Sequence, residues 1–288
     1  MAVGQEVRTK ISSIKNTQKI TRAMEMVAAS KMRKTQERMQ SSRPYSDKMW
    51  QIIQHLSHAN PAYRHPFMVH KNVESIGVLV ITSDRGLCGG LNSNLFRKLL
   101  KQIRGWEEQG KKVKLGIIGR KGVAYFANIG GESIAQVTQI GDQPGLTDIV
   151  GVIQVMLDAY TDDGVQQIHL AYNDFINTMV QEPTIKQLLP IDSTDANAEL
   201  EHHWDYIYEP DPEQVLDNLL IRYAESIIYQ SVLENNASEQ AARMVAMKSA
   251  SDNAGKLIDE LQLVYNKARQ AAITQEIAEI VAGAAAVQ

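Results

Sequence analysis

The sequence predicts an α/β protein in which a long antiparallel coiled coil of N- and C-terminal helices accompanies a central Rossmann-like α/β domain. Residues 3–58 and 211–287 are rich in strong helix formers, with Pro44 as the only proline in the first segment and none after Pro212 in the second. Between them, short apolar runs alternate with amphipathic stretches, which is typical of alternating strands and helices. We therefore divide the chain into residues 1–60, 73–190 and 211–288.

The C-terminal segment is the longer predicted helix. Asp211 suits an N-cap, and Pro212 suits the first helical position because its missing N–H is not needed there. At 1.5 Å per residue the segment would extend roughly 110 Å, several times the length of an average globular helix. A helix of this length needs a partner along its whole course.

Two apolar sets run along the C-terminal segment. Steps of four and three predict a coiled-coil seam at Leu257, Leu261, Val264, Ala268, Ala271, Gln275, Ala278 and Ala282. A second set lies off this seam: Ile258, Tyr265, Ile273, Ile277 and Ile280. The pattern leaves open whether the helix lies in its own bundle or is enclosed by other subunits. Glu276 and Glu279 interrupt the stretch and argue against a membrane span.

The N-terminal segment carries two opposed apolar patches. At 100° per residue, Val7, Ile11 and Ile14 fall on one side, and Ile20, Met24 and Val27 fall nearly opposite, which predicts two different neighbours. One of them should be the C-terminal helix. Pro44 should kink or break the helix near Arg43.

Composition limits the functional classes. One cysteine in 288 residues excludes an internal disulfide and suits a reducing compartment, and we find no signal peptide or membrane-spanning stretch. Residues 1–48 carry 11 Lys+Arg against 4 Asp+Glu, whereas the whole chain has a net charge of −3. A basic arm predicts an acidic partner: nucleic acid, lipid headgroups or an acidic protein surface. Nucleic acid is disfavoured because no aromatic residue lies between Met1 and Pro44 to stack a base.

Four histidines follow the N-terminal helix: His55, His58, His65 and His70. No cysteine or carboxylate accompanies them at metal-ligand spacing, so we expect a solvated linker and no metal. We expect no cofactor elsewhere in the chain either.

The central domain shows eight elements in order. Strands are expected at 74–82, 111–119, 133–139, 165–174 and 178–191, and helices at 91–110, 120–131 and 145–160. This alternation predicts a largely parallel sheet. Residues 192–201 are polar and acidic, and we expect them to be mobile.

One loop in this domain resembles a catalytic motif. Residues 86–90, Gly-Leu-Cys-Gly-Gly, fit a nucleophile elbow between a strand and a helix. Cys88 would be the nucleophile of a hydrolase, with His169 as base and Asp174 as the orienting acid. Against this, His169 lies in an apolar strand run, and a small residue such as cysteine is common at a tight turn. The loop also lacks the ending of a phosphate-binding P-loop.

Three stretches resemble a known family. They are residues 16–34 (NTQKITRAMEMVAASKMRK), 82–92 (TSDRGLCGGLN) and 260–286 (ELQLVYNKARQAAITQEIAEIVAGAAA). With the order of helix, α/β domain and helix, they resemble the gamma subunit of the F-type ATP synthase in its bacterial form, over the whole chain. The resemblance implies a noncatalytic rotor on the cytoplasmic face of the inner membrane, peripheral to it. The implied partners are three alpha and three beta subunits, the epsilon subunit and the c-ring.

The resemblance also implies which residues contact those partners. It assigns Arg269 and Gln270 to hydrogen bonds with beta-subunit loops. The basic helix with Met24, Lys31, Arg33 and Lys34, and the loop with Asp84, Arg85 and Cys88, would face the lower lobes of the beta subunits. Tyr206 and Glu209 belong to a segment that would contact epsilon and the c-ring. The uncharged tip beginning at Ala282 would be a bearing surface.

Overall fold

The computed structural model describes residues 2–59, 65–191 and 212–286. The helices are α1 (Ala2–Ala59), α2 (Leu91–Glu108), α3 (Arg120–Ile129), α4 (Leu146–Thr161) and α5 (Pro212–Ala286), and a 3-10 turn spans Pro66–Met68. The strands are β1 (Ser75–Ile81), β2 (Lys112–Ile118), β3 (Ser133–Val137), β4 (Gln167–Phe175) and β5 (Gln181–Leu189). Every predicted helix and strand is present. Two compact units result, one of Met1–Ala29 with Arg243–Gln288 and one of Ser30–Ala242.

A five-stranded sheet organises the larger unit. Its order is β3-β2-β1-β4-β5, with β1 to β4 parallel and β5 antiparallel to β4. After Ser75, strand β1 is apolar and buried because both of its faces are covered. Ile76, Val78 and Val80 pack with α2 and α3, whereas Leu79 and Ile81 pack with α4 on the other face.

Segments of the long helices cover the α4 side of the sheet. Helix α5 contributes a row of buried residues four positions apart: Leu216, Leu220, Ala224, Ile228 and Val232. They join the same core as Ile53 of α1, Phe67 and Tyr160. Phe67 precedes β1 and Tyr160 ends α4, so both lie at the amino-terminal edge of the parallel strands. At the carboxyl-terminal edge, Asn235 and Ser238 of α5 hydrogen-bond to Asn173 near the end of β4.

The smaller unit is a two-helix coiled coil. On α1 the least exposed positions recur in steps of four and three: Val7, Ile11, Ile14, Gln18, Thr21, Glu25 and Ala28. On α5 the matching row is Met247, Ser251, Ala254, Ile258, Leu261, Tyr265, Ala268 and Ala272. The Gln18 side-chain amide donates to the Ser251 carbonyl oxygen at 3.2 Å. This spacing is that of a coiled-coil seam.

The predicted membership of the α5 seam was wrong. Ile258 is 7% exposed and Tyr265 is half-buried, although both were assigned off the seam. Leu257 and Val264, assigned to the seam, are 44% and 49% exposed. The two rows share Leu261 and Ala268 and differ by one residue at the positions between them, where α1 covers Ile258 and Tyr265 instead of Leu257 and Val264. Of the predicted row, only Leu261 and Ala268 are covered.

Two smaller expectations concern Pro44 and His65. Of the kink or break expected near Arg43, the break does not occur, because helix α1 continues through Pro44. Residues Gln40 and Pro44 are exposed, so water can hydrate the carbonyl that loses its helical hydrogen bond. His65 is buried rather than solvated, because its Nδ1 accepts from the Phe67 N–H at 3.0 Å and its ring packs edge-on against Phe67.

Candidate partner-binding surfaces

The loop from Thr82 to Gly90 is held by its own polar side chains. Thr82 Oγ1 donates to the Ile118 carbonyl oxygen at 3.0 Å and accepts from the Gly122 N–H at 2.9 Å. Asp84 Oδ1 accepts from the backbone N–H groups of Arg120 at 2.9 Å and Gln139 at 3.0 Å. These bonds connect the segments that follow β1, β2 and β3. The side chains of Thr82 and Asp84 therefore fix the position of the loop.

Cys88 is part of the same scaffold. Its side chain is 3% exposed, and its sulfur lies 3.6 Å from the Asn92 amide nitrogen and 3.9 Å from Ser83 Oγ. The same Asn92 amide donates to Ser83 Oγ at 2.7 Å. Neither neighbour is a base that would activate a thiol.

The proposed base lies far from Cys88. The His169 ring is 4.9 Å from the Trp106 ring, near the end of α2, whereas Cys88 precedes the start of α2 at Leu91. The 15 residues from Leu91 to Trp106 correspond to roughly 22 Å of helix. Burial, and secondarily the charge of Lys111, lowers the pKa of His169 to about 4. A Cys88–His169 pair is therefore excluded, and the hydrolase interpretation fails on geometry.

Two exposed side chains remain on this loop. Arg85 points to solvent, and Leu87 is 60% exposed with a backbone φ of 66°. A leucine in the left-handed region costs about 1–2 kcal/mol relative to ordinary helical backbone. The loop thus holds a basic and an apolar side chain outward on a rigid support.

Some basic side chains of α1 contact the loop after β3, whereas others are exposed to solvent. Lys31 Nζ lies 2.6 Å from Asp142 Oδ2 in the loop after β3, and an Arg38 guanidinium nitrogen donates to Gln143 Oε1 at 2.6 Å. Arg33 and Lys34 are exposed. Arg33 and Lys34 are therefore better placed than Lys31 to contact an acidic surface.

A cavity lies beside the Asp84 loop. It has a volume of about 290 Å³ and is lined by residues from the loop, from α3 and from α5, among them Asp84, Arg120, Asn235, Asn236 and Glu239. In open α/β sheets, ligands bind outside the carboxyl ends of the strands where the strand order reverses, here between β1 and β4. Helix α5 occupies that position, because Asn235 Oδ1 accepts from the Asn173 N–H and side-chain amide at 3.3 Å and 2.9 Å.

Sequence reasoning missed this polar stretch of α5. Residues 230–238 are all buried, including Glu234, Asn235, Asn236 and Ser238. A run such as ENNASEQ is typical of a solvent-facing helix, and no periodicity in it indicates burial. Burial follows from its position against β4 and the loop after β3, where Asn236 donates to the Asp142 carbonyl oxygen at 3.0 Å.

In the coiled-coil unit, Met24 is half-buried beside the seam, and Arg269 and Gln270 are exposed. Beyond the last seam position, Ala272, every side chain described from Ile273 to Ala282 is exposed. Four of them form one apolar stripe: Ile273, Ile277, Ile280 and Val281, at 47%, 55%, 70% and 62% exposure. The opposite face carries Gln275 and Glu279, joined by a 3.0 Å hydrogen bond. Tyr206 and Glu209 lie outside the described residues.

The described residues were also searched for metal-binding clusters and membrane-spanning helices. Among the side chains the structure describes, no group of His, Cys, Asp and Glu is arranged to hold a metal ion. Within those same parts of the chain, no helix has the length and apolarity of a membrane span.

Comparison with known proteins resolves the family. A family model described as ATP synthase matches residues 4–287. The ATP synthase gamma chain of Methylococcus capsulatus is 61% identical over 287 residues, covering 100% of both chains. The chain belongs to the ATP synthase gamma chain family. The gamma chain of Nitrosococcus oceani is 59% identical over 288 residues, covering 99% of this chain and 100% of that one.

Solved structures agree with this assignment. A chain of the Tetrahymena thermophila mitochondrial ATP synthase central stalk and c-ring is 26% identical, with a TM-score of 0.59, covering 81% of this chain and 99% of that one. A chain of the Euglena gracilis enzyme has a TM-score of 0.69 at 19% identity, covering 99% and 95%, which supports the fold. The family resemblance and the fold class predicted from the sequence are both confirmed.

Proposed function

We propose that this chain is the central rotor subunit of a bacterial F-type ATP synthase, which couples rotation of the c-ring to the cycling of nucleotide sites in the beta subunits. It catalyses no reaction itself. Its partners are three alpha and three beta subunits, the epsilon subunit and the c-ring, and it associates peripherally with the cytoplasmic face of the inner membrane. Family membership supports this function, and the apolar stripe of α5 supports it physically.

The stripe supports enclosure by other subunits. Ile273, Ile277, Ile280 and Val281 stand on one face of a helix whose last turns are not covered by α1. A monomeric soluble protein rarely exposes a contiguous apolar surface of this kind. Residues such as Ala278 and Ala282 on the other face are small. A helix end with this apolar stripe and no charged side chain after Glu279 fits a hydrophobic sleeve in which it turns without deep energy wells.

The basic and polar residues supply directional contacts in this proposal. Arg33, Lys34 and Arg85 are exposed and would face acidic lower lobes of the beta subunits, with Met24 alongside. Arg269 and Gln270 would bond to beta-subunit loops, since arginine forms strong charge-assisted bonds with carboxylates. Lys31, Asp84 and Cys88 would act indirectly, by holding the surfaces that carry these contacts. Tyr206 and Glu209 are retained as contacts to epsilon and the c-ring.

A charge placed on the stripe tests the proposal. Ile277→Glu would place a carboxylate in the apolar sleeve, which costs several kcal/mol. The matched control is Gln275→Glu, which adds the same charge to the face that already carries Glu279. Each variant is co-expressed with alpha and beta subunits, and the recovered complex is measured. We expect Ile277→Glu to lower recovery well below that of Gln275→Glu; equal recovery would contradict enclosure of the stripe.

A further inference from the structure

The tip of the β4–β5 hairpin exposes three large apolar side chains. Ile176, Met179 and Val180 are 52%, 73% and 50% exposed. The segment from Phe175 to Gln181 contains no charged residue. Hairpin tips in water usually carry polar turn residues, so an apolar tip is a candidate contact surface.

The tip is rigid. Asn177 Oδ1 accepts from the N–H groups of Met179 and Val180, both at 2.9 Å. The Gln181 side-chain amide donates to the carbonyl oxygens of Asn177 at 3.2 Å and Thr178 at 3.0 Å. The apolar side chains are therefore held outward before any partner arrives, and little ordering entropy is lost on binding.

The tip is also firmly mounted at one edge of the sheet. Phe175, directly before it, packs against the buried cluster of Met39, Leu233 and Ala237. Strand β4 is parallel to β1, and its register places Ala171 beside Val80. The tip therefore leaves the sheet at the same carboxyl-terminal edge as the Asp84–Gly90 loop. The start of α5 lies at the opposite edge, because Asp217 Oδ1 is 3.6 Å from Nε2 of His65, whose ring packs against Phe67.

We propose that Ile176, Met179 and Val180 form a docking knob for an apolar, uncharged patch on the lower face of the alpha–beta ring. This inference rests on the proposed function, because the knob shares its edge with the Arg85 and Leu87 loop assigned to that ring. The family resemblance assigns epsilon and the c-ring to Tyr206 and Glu209, which precede α5 in the chain and lie outside the described residues. Because the knob carries no charge, its contact is insensitive to salt, unlike contacts of Arg33 and Lys34.

Site-specific photo-crosslinking in the assembled complex tests the knob. Benzoylphenylalanine replaces Met179, and in a matched control it replaces Ile129, which is 53% exposed at the end of α3 and thus at the opposite edge. Each chain is assembled with alpha, beta and epsilon subunits and irradiated at low and at high salt. We expect crosslinks from position 179 to alpha or beta at both salt concentrations. We expect no crosslinks from position 129 to alpha or beta.

The outcomes separate the knob from the wider function. If the wild-type chain assembles with alpha and beta but position 179 crosslinks only to epsilon, or to nothing, the knob is overturned and the rotor assignment stands. If crosslinks to the ring disappear at high salt, the uncharged contact is overturned. If the wild-type chain does not assemble with alpha and beta, the proposed function itself fails.

Discussion

The carboxylate of Asp84 accepts a hydrogen bond from the backbone N–H of Arg120 at 2.9 Å, and the same oxygen accepts from the Gln139 N–H at 3.0 Å. One side chain thus ties the loop after β1 to the segments after β2 and β3. Both donors are backbone groups, so these two hydrogen bonds depend on the acceptor at position 84. This tie holds Arg85 and Leu87 at the carboxyl-terminal edge of the sheet.

Removing the acceptor should loosen that edge. Asp84→Ala deletes both hydrogen bonds, and bonds to a charged acceptor contribute about 1.5–3 kcal/mol each at most, less where water competes. Asp84→Asn keeps one oxygen and should have a smaller effect. Hydrogen exchange of the peptides containing Arg120 and Gln139, measured in the assembled complex, should accelerate most in Asp84→Ala. Unchanged exchange would contradict the tie.

Two glycines form a matched pair for backbone strain. Gly119 has a φ of 101°, and a Cβ there would lie 2.2 Å from the Thr82 carbonyl oxygen. Gly130 also has a positive φ, 84°, but a Cβ there meets nothing within 4 Å. Gly130→Ala should cost about 1–2 kcal/mol from backbone conformation alone. Gly119→Ala should cost clearly more, because Thr82 must move as well; equal losses in urea unfolding would refute the close approach.

His169 should make stability depend on pH. Burial first, and then the charge of Lys111, lowers its pKa from 6.5 to about 4. The unfolded chain therefore takes up a proton at higher pH than the folded chain does. The contribution of His169 to the free energy of unfolding is fully present above pH 6.5. It is lost between pH 6.5 and about 4, and the loss is roughly 3 kcal/mol at most.

His169→Phe keeps a ring against Trp106 and removes the titration. Urea unfolding of wild type and variant at about pH 7 and about pH 5 should show a smaller loss of stability in the variant on acidification. His65, whose pKa burial also lowers, remains in both proteins, so the difference reports on His169. The same loss in both proteins would show that His169 is not the responsible group.

A shortened α5 also tests whether the end of this helix turns inside a hydrophobic sleeve. A chain ending at Ala282 keeps Ile273, Ile277, Ile280 and Val281 and loses residues 283–288, Gly-Ala-Ala-Ala-Val-Gln. Because the whole apolar stripe remains, assembly and ATPase activity of the reconstituted complex should fall only partly. Total loss of ATPase activity in a complex that still assembles would contradict a low-friction bearing.

Cys88 provides the test of the rejected hydrolase. In Cys88→Ala, Asn92 still donates to Ser83 Oγ, so the loop should keep its shape and ATPase activity of the complex should change by less than about threefold. Loss of a catalytic nucleophile would instead lower a rate by orders of magnitude. A loss of that size in a correctly assembled complex would reopen the catalytic interpretation.

Periodicity predicted most of the fold, because strands buried on both faces and amphipathic helices carry strong local patterns. The failures occurred where a partner helix decides burial. Ile258 and Leu257 are adjacent apolar residues, and only the docking of α1 determines which one is covered. Asn235 and Ser238 read as surface residues, because their partner, the backbone of Asn173, is remote in sequence. The motif from Thr82 to Cys88 was recognised, but its role as a scaffold required the hydrogen bonds.

The central claim is that this chain turns within a ring of alpha and beta subunits. The most direct measurement is single-molecule rotation, with alpha and beta subunits fixed to a surface and a probe attached to this chain in the α/β unit. With ATP present, we predict rotation in one direction in steps of a third of a turn, matching three beta subunits. A complex that assembles and hydrolyses ATP while the probe shows no directed rotation would contradict the account.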